Sequence, residues 1–376
     1  MRPKKTVLHI ITGLKKGGAE KSLYKLLTSH IGNSLVVISL TTLGSVGRQL
    51  EKRGFKVIVL NLKLYNFPVV FFKLCRIIRI YKPNIVQTWL YHADLIGGLA
   101  AKVAGVRCIV WGIRTTELRK GSYMTAGIRK LSAWLSYWIP VKIVVVAEKA
   151  KKKHIRLGYD ASKMEVIQNG FNIDSCNVSP ELVRVFKEVN SIKDNDIVIG
   201  CVGRLSQVKG QDIFIKSAGS VLALLPNVKF LMVGRGLEAA SQEVTSLIEK
   251  NARLENFILL GERSDVPVCL RAMDVFCLPS RSEGFPNSLG EAMLSGVPCV
   301  STDVGDASVL GGGDVLIARV DDPEDLAKKL ILMIKNSEQE RKRIGQRLRQ
   351  KVINEYSMDK MASHYKVLYE ELPGNY

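Results

Sequence analysis

The sequence predicts two doubly wound α/β units in tandem, each a mainly parallel sheet covered by helices. Three observations carry this. The chain has 376 residues, more than one domain of about 100–200 residues holds. Short, near-continuous apolar runs rich in Val and Ile alternate with helical patterns, as strands buried on both faces do. The alternation is interrupted at MEVIQNGFNID, read as a linking turn, and then resets.

The strands of the first unit are expected in TVLHII, LVVISL, KVIVLNL, NIVQTW, CIVWGI and KIVVVAE, with helices such as KSLYKLLTSH and ADLIGGLAAKVAG between them. The second unit has DIVIGCVGRL, KFLMVGRG, FILLGE, VFCLPS, PCVST and DVLIARV. The expected boundaries are residues 1–170, 171–355 and a final helix at 356–376. In that helix Met358, Met361, Tyr365 and Leu368 share one face, so it needs something to pack on. No repeat of fixed period and no low-complexity tract interrupts the plan.

Composition narrows the function classes. The seven Cys form no C-x-x-C pair and mostly sit in apolar runs, so they read as small core residues in a reducing compartment. MRPKKTVLHIITG places basic residues before an apolar run, but the run is short and enters a glycine loop, so it reads as a first strand rather than a signal peptide. No stretch of about 18 uninterrupted apolar residues predicts a membrane span. The net charge of +20 is uneven: residues 1–170 carry 30 Lys+Arg against 7 Asp+Glu, a balance of +23, and the remainder 25 against 28, a balance of −3. An anionic partner is therefore expected on the first half: nucleic acid, a membrane surface or a phosphorylated substrate.

Ligands of doubly wound units bind at the carboxyl ends of strands, where helix N-termini point, and three motifs fall there. In TGLKKGGAEKSLYKLL, Gly17 and Gly18 allow close backbone approach, and the helix N-terminus suits a phosphate. An ordinary strand-to-helix turn would carry the same glycines. The pattern is not G-x-G-x-x-G and no acidic residue follows the second strand, which argues against a nicotinamide site. In GRLSQVKG, Arg204 and Lys209 leave a strand end together between Gly203 and Gly210, and fixed cations there fit a diphosphate leaving group. A solvated basic loop is the alternative. In SRSEGFPNSLGEAMLSGVP, Glu283 lies in a turn made by Gly284, Phe285 and Pro286, a helix is expected from about Asn287, and Glu291 lies one turn inside it. Two carboxylates can each accept paired hydrogen bonds from vicinal hydroxyls, one set on a sugar and one on a ribose. By itself the pair could also be an exposed Glu beside a helix-surface Glu.

Taken together, Gly17-Gly18-Ala19-Glu20, Asn169-Gly170, Gly203-Arg204…Lys209-Gly210, Gly234-x-Gly236 and Glu283-x7-Glu291 resemble, in order and spacing, the retaining glycosyltransferases of family 4. The resemblance covers nearly the whole chain and is most specific in its last two-thirds. It implies the GT-B fold, two Rossmann-like domains facing across a cleft. It implies that Arg204 and Lys209 bind the donor diphosphate, that Glu283 lies by the donor sugar and Glu291 by the ribose, and that Gly17 and Gly18 approach the β-phosphate. Gly234, Gly284, Phe285, Pro286 and Asn287 would line the donor. His92, in QTWLYHADLIGG, would stand at the reaction centre on the acceptor side, although a lone His is commonly structural. The implied reaction transfers a sugar from a nucleotide-diphosphate donor, UDP-linked by expectation, with retention. The diphosphate leaves from the face that the acceptor attacks. No cofactor and no metal are expected: there is no His/Cys cluster, and Asp194-Asn195-Asp196 reads as a turn.

The resemblance assigns the acceptor to the basic first half. Phe71, Phe72 and Ile77 lie beside Lys73, Arg76 and Arg79, and Trp134, Tyr137 and Trp138 beside Arg129 and Lys130. Aromatics mixed with Lys/Arg mark an interfacial helix. The first segment can equally pack its apolar face on the sheet; the second points to a membrane. Arg114, Arg119, Lys120 and the run Lys149–Lys153 are further candidates for lipid headgroups or a lipid diphosphate. The resulting expectation is a peripheral enzyme on the cytoplasmic face of the membrane, extending a lipid-diphosphate-linked glycan in surface polysaccharide assembly. A soluble transferase with a small acceptor and a sugar-nucleotide epimerase are the alternatives. Nucleic acid is not expected as a partner, because no zinc finger, recognition helix or RNP-like motif accompanies the charge.

Overall fold

The computed structural model describes residues 5–15, 17–29, 33–116 and 123–373. They form two compact units, one of residues 1–170 with 358–376 and one of residues 171–357.

The first unit alternates strand and helix throughout: β1 (Thr6–Ile11), α1 (Gly18–Thr28), β2 (Asn33–Ser39), α2 (Gly44–Lys52), β3 (Val57–Val59), α3 (Phe67–Tyr81), β4 (Ile85–Trp89), α4 (Tyr91–Val103), β5 (Cys108–Ile113), α5 (Tyr123–Leu135), β6 (Lys142–Val145), α6 (Glu148–Arg156) and β7 (Met164–Val166). The sheet order is β3-β2-β1-β4-β5-β6-β7 and every pairing is parallel. The central strands are buried almost end to end because helices cover both faces, which is why β5 reads as an unbroken apolar run and why β1 and β4, mostly apolar, also bury His9, Gln87 and Thr88. The segment expected to be a linking turn begins instead as β7, paired with β6 through Ile143↔Met164 and Val145↔Val166. Three residues show no pattern of their own; the free edge of β6 makes them a strand.

The second unit holds α7 (Pro180–Val189), β8 (Ile197–Val202), α8 (Gln211–Leu224), β9 (Val228–Val233), α9 (Gln242–Asn251), β10 (Phe257–Leu259), α10 (Val266–Arg271), β11 (Val275–Leu278), α11 (Asn287–Leu294), β12 (Cys299–Thr302), α12 (Ala307–Gly311), β13 (Leu316–Ala318), α13 (Pro323–Lys335) and α14 (Glu338–Glu355). Its parallel sheet runs β10-β9-β8-β11-β12-β13. All seven cysteines are buried free thiols.

The last helix, α15 (Met358–Glu371), belongs to the first unit and packs against α1. Its stripe of Met361, Tyr365 and Leu368, continued by Tyr369 and Leu372, enters one apolar cluster with Leu14, Leu23 and Trp89. Fully burying each such side chain stabilises by about 1.5–3 kcal/mol.

Candidate active site

In both units the order of strands reverses between two central neighbours, β1/β4 in the first and β8/β11 in the second. The segments leaving the carboxyl ends of these pairs diverge around a crevice, the general ligand site of such sheets. The two glycine loops, His92 and the Glu283 turn leave those four strands, while Gly234 follows β9 and Asn169-Gly170 follows β7.

In the second unit the β8 exit makes a one-turn 3-10 helix, Gln207–Lys209, and then Gly210 at φ 66°. A Cβ on Gly210 would stand 2.0 Å from the Pro279 carbonyl oxygen, so only glycine lets this turn lie against the β11 exit. Gly234, at φ 147°, plays the same part from the β9 exit: its Cβ would lie 2.1 Å from the Gly203 carbonyl oxygen. Gln211 Nε2 donates to the carbonyls of Gly203 (3.2 Å) and Arg204 (2.9 Å), fixing the backbone that carries the exposed Arg204 side chain.

This packing brings Lys209 Nζ to 2.6 Å from Glu283 Oε1, with Ser280 Oγ donating to the same oxygen at 2.7 Å. The Lys209 and Glu283 side chains are 27% and 10% exposed, so the charged pair is partly shielded from water. Helix α11 starts at Asn287, where the sequence places it. Phe285 is buried between Phe171 and Tyr356, with ring centroids 6.1 Å from each, which anchors the turn through Pro286. Glu291 lies half-buried one turn into α11.

In the first unit His92 stands in the first turn of α4, and burial lowers the pKa of its imidazole, favouring the neutral form. The turn before it is strained: Leu90 sits at φ 75°. It is held by Leu90 N donating to the Gly112 carbonyl (2.9 Å) and by the buried Asp94, whose Oδ1 accepts from Thr88 Oγ1 (2.6 Å) and Gly112 N (3.0 Å). Asp94 Oδ2 has no partner among the described residues, and desolvation pushes the carboxyl up to about 7. Gly17 is extended and precedes α1; the Glu20 carboxyl fills the space beside it, so a Cβ there would meet Oε2 at 2.3 Å. Burial raises the Glu20 pKa. Behind this loop Ser22 Oγ donates to Asn169 Oδ1 (2.7 Å) and Lys25 Nζ to the Gly170 carbonyl (2.9 Å). That ties the Asn169-Gly170 motif to α1.

The basic candidates divide. Lys73, Arg76, Arg79 and Lys130 are exposed, and Arg129 is half-buried. Helix α3 turns Val70, Leu74, Cys75 and Ile78 inward while Val69, Phe72 and Ile80 face solvent. It therefore packs on the unit and keeps an apolar outer face. On α5 and the residues after it Trp134 and Trp138 are 63% and 67% exposed, and Tyr123 and Leu131 are exposed as well. Helix α4 packs against both α3 and α5. Arg114 is a correction. It is not at the surface facing headgroups: it is only 9% exposed, stacks 5.1 Å over Trp89, and donates to Asn169 Oδ1 and Tyr365 Oη. A guanidinium at a strand exit reads as surface charge in sequence, and only the return of α15 covers it. Arg119 and Lys120 lie outside the described residues. Neither Asp94 nor Arg281 is marked by a motif in the sequence: the bonds of Asp94 to Thr88 and Gly112 form only once β4 and β5 pair, and the partners of Arg281 lie 40 to 74 residues away.

Comparison with known proteins agrees with this architecture. The model of Glycosyltransferase Family 4 matches residues 16–175 and that of Glycosyl transferases group 1 matches residues 196–336. A UDP-Gal:alpha-D-GlcNAc-diphosphoundecaprenol alpha-1,3-galactosyltransferase of Escherichia coli is 24% identical over 323 residues, 84% of this chain and 82% of the relative. The capsular polysaccharide biosynthesis glycosyltransferase CapM of Staphylococcus aureus is 26% identical over 307 residues, 78% and 77% of the two chains. Among solved structures, Anabaena Alr3699/HepE in complex with UDP superposes with a TM-score of 0.86 at 20% identity, covering 98% of this chain and 100% of that one. The fold is GT-B. The chain belongs to the family 4, group 1 glycosyltransferases.

Among the described residues no three His, Cys, Asp or Glu side chains are grouped to hold a metal ion, and no helix is long and apolar enough to cross a membrane.

Proposed function

We propose that the protein is a retaining hexosyl- or N-acetylhexosaminyltransferase that takes its sugar from a UDP-linked donor. The acceptor in this reading is a lipid-diphosphate-linked glycan in surface polysaccharide assembly. The carrying observation is the Lys209–Glu283 pair, 2.6 Å apart where the exits of β8 and β11 meet. A cation and a carboxylate fixed side by side suit a ligand that is anionic at one end and rich in hydroxyls at the other. Lys209 and Arg204 would meet the diphosphate, Glu283 the sugar, and Glu291 the ribose. The bond from the anomeric carbon to the β-phosphate oxygen breaks as the acceptor hydroxyl bonds to the same face of that carbon. The acceptor proton passes to the departing diphosphate. The negative charge that builds on the leaving group is met by Lys209, Arg204 and the positive end of the α11 dipole, so this reading requires no metal. The neutral His92 would stand on the acceptor side. The donor complexes of Alr3699/HepE with UDP and UDP-glucose support the nucleotide, and the E. coli relative's diphosphoundecaprenol substrate supports the acceptor class.

The outer faces of α3, of α5 and of the turn after α5 mix Phe72, Trp134 and Trp138 with Lys73, Arg76 and Lys130, which suits an anionic bilayer. The enzyme in this reading works as a peripheral protein on the cytoplasmic side.

The test is a screen of single nucleotide sugars with a lipid-diphosphate-linked glycan, reading nucleoside diphosphate release and the anomeric coupling constant of the product. A UDP-sugar should be consumed, the product should keep the donor's anomeric configuration, and EDTA should leave the rate unchanged. Inversion, or release with no UDP-sugar, would overturn the reading.

A further inference from the structure

Arg281 is not placed to meet a donor in the reading above, yet it grips both loops that carry Lys209 and Glu283. Its backbone N–H donates to the Val208 carbonyl at 2.8 Å, and its Nη1 to the Gln207 carbonyl at 2.6 Å. Nη1 and Nη2 form a bidentate pair with both carboxylate oxygens of Asp212 in the first turn of α8, each at 2.7 Å. Nε reaches Asp321 Oδ1 at 2.5 Å, in the loop between β13 and α13. Asp212 in turn is held below the usual carboxylate range by this guanidinium.

Stability alone is a weak account of this cluster. Asp321 is 59% exposed and Arg281 23%, and ion pairs that open to water contribute little to folding. What the cluster does is geometric. It clamps the Gln207–Lys209 turn to the strand exit two residues before Glu283, and so fixes where the Lys209 ammonium lies. A planar guanidinium can hold a carboxylate bidentately and a carbonyl and second carboxylate in one plane; an ammonium cannot.

We propose that Arg281 is a positioning residue for the donor diphosphate, acting through Lys209. The inference rests on the reading of Lys209 as a diphosphate ligand. The experiment is calorimetric titration of the full chain with UDP, using wild type, Arg281→Met, Arg281→Lys, Lys209→Met and the double variant Arg281→Met/Lys209→Met. Arg281→Met should weaken UDP about tenfold, Arg281→Lys nearly as much, and Lys209→Met about thirtyfold; the double variant should lie within about twofold of Lys209→Met, because residues acting through one another are not additive. Equal loss from Arg281→Met in both backgrounds, or no loss, overturns the inference while leaving the Lys209 reading intact. Unchanged UDP affinity in Lys209→Met removes that reading, and the inference with it. Should Arg281→Met not fold, Asp212→Asn loosens the same grip and should give about a threefold loss with the same non-additivity.

Discussion

Replacing Trp134 and Trp138 by Ser tests the bilayer surface directly. The two side chains are 63% and 67% exposed, on a Trp surface of about 250 Å² each, so together they present about 330 Å² to solvent. If half of that leaves water in the headgroup layer, about 25 cal/mol per Å² gives about 4 kcal/mol, or a thousandfold in binding. Charge adds about 1 kcal/mol for each cation at an acidic surface, so Lys73, Arg76 and Lys130 contribute a share that molar salt removes. The assay is co-sedimentation with phosphatidylcholine vesicles containing anionic phosphatidylglycerol at low ionic strength. W134S/W138S should lose nearly all binding and keep its melting temperature, because neither indole packs in the core. As a control, Val189→Ser alters an exposed apolar residue of α7 and should bind as wild type does. Binding within threefold of wild type for the double variant, or an equal loss in the control, would refute the reasoning.

Three further outcomes are expected. Glu283→Gln removes a charge that Lys209 and Ser280 both bind, and should lower kcat about 100- to 1000-fold at an unchanged melting temperature, read from UDP release; turnover near wild type would exclude the carboxylate from the site. Gly210→Ala forces a side chain to φ 66° and against the Pro279 carbonyl, and should cost about 1–3 kcal/mol in a urea melt and weaken UDP as well; an unchanged melt would mean the two loops are free to separate. Burial lowers His154, which bonds Tyr91 Oη and the Ala150 carbonyl, to about 4, and His9 to about 3. Both bind protons more readily unfolded, so their contribution is complete above about pH 6.5 and is lost as pH falls toward 4 and then 3, on the order of 3 kcal/mol for His154. His154→Gln should flatten that dependence in urea melts between about pH 7 and pH 4, and an unaltered slope would show that the imidazole is solvated.

Sequence periodicity determined the two sheets, because a strand buried on both faces is mainly apolar and β1, β4, β8 and β11 announce themselves that way even with His9, Gln87 and Thr88 among them. The positions of Gly203, Lys209, Glu283 and Asn287 were legible for a related reason: turns that leave a strand and open a helix need glycine and capping chemistry at fixed local offsets. The short β7 was not legible, since its pairing comes from the edge of β6. Tertiary structure alone decided which charges face water. Arg114 and Lys130 look alike in the chain, yet α15, more than 240 residues beyond Arg114, returns to bury one and leaves the other exposed. It alone brought Arg281 onto Gln207, Asp212 and Asp321, 74, 69 and 40 residues away. Local sequence fixes backbone geometry over a few residues, whereas desolvation and ion pairing depend on which distant segments the packed core brings together.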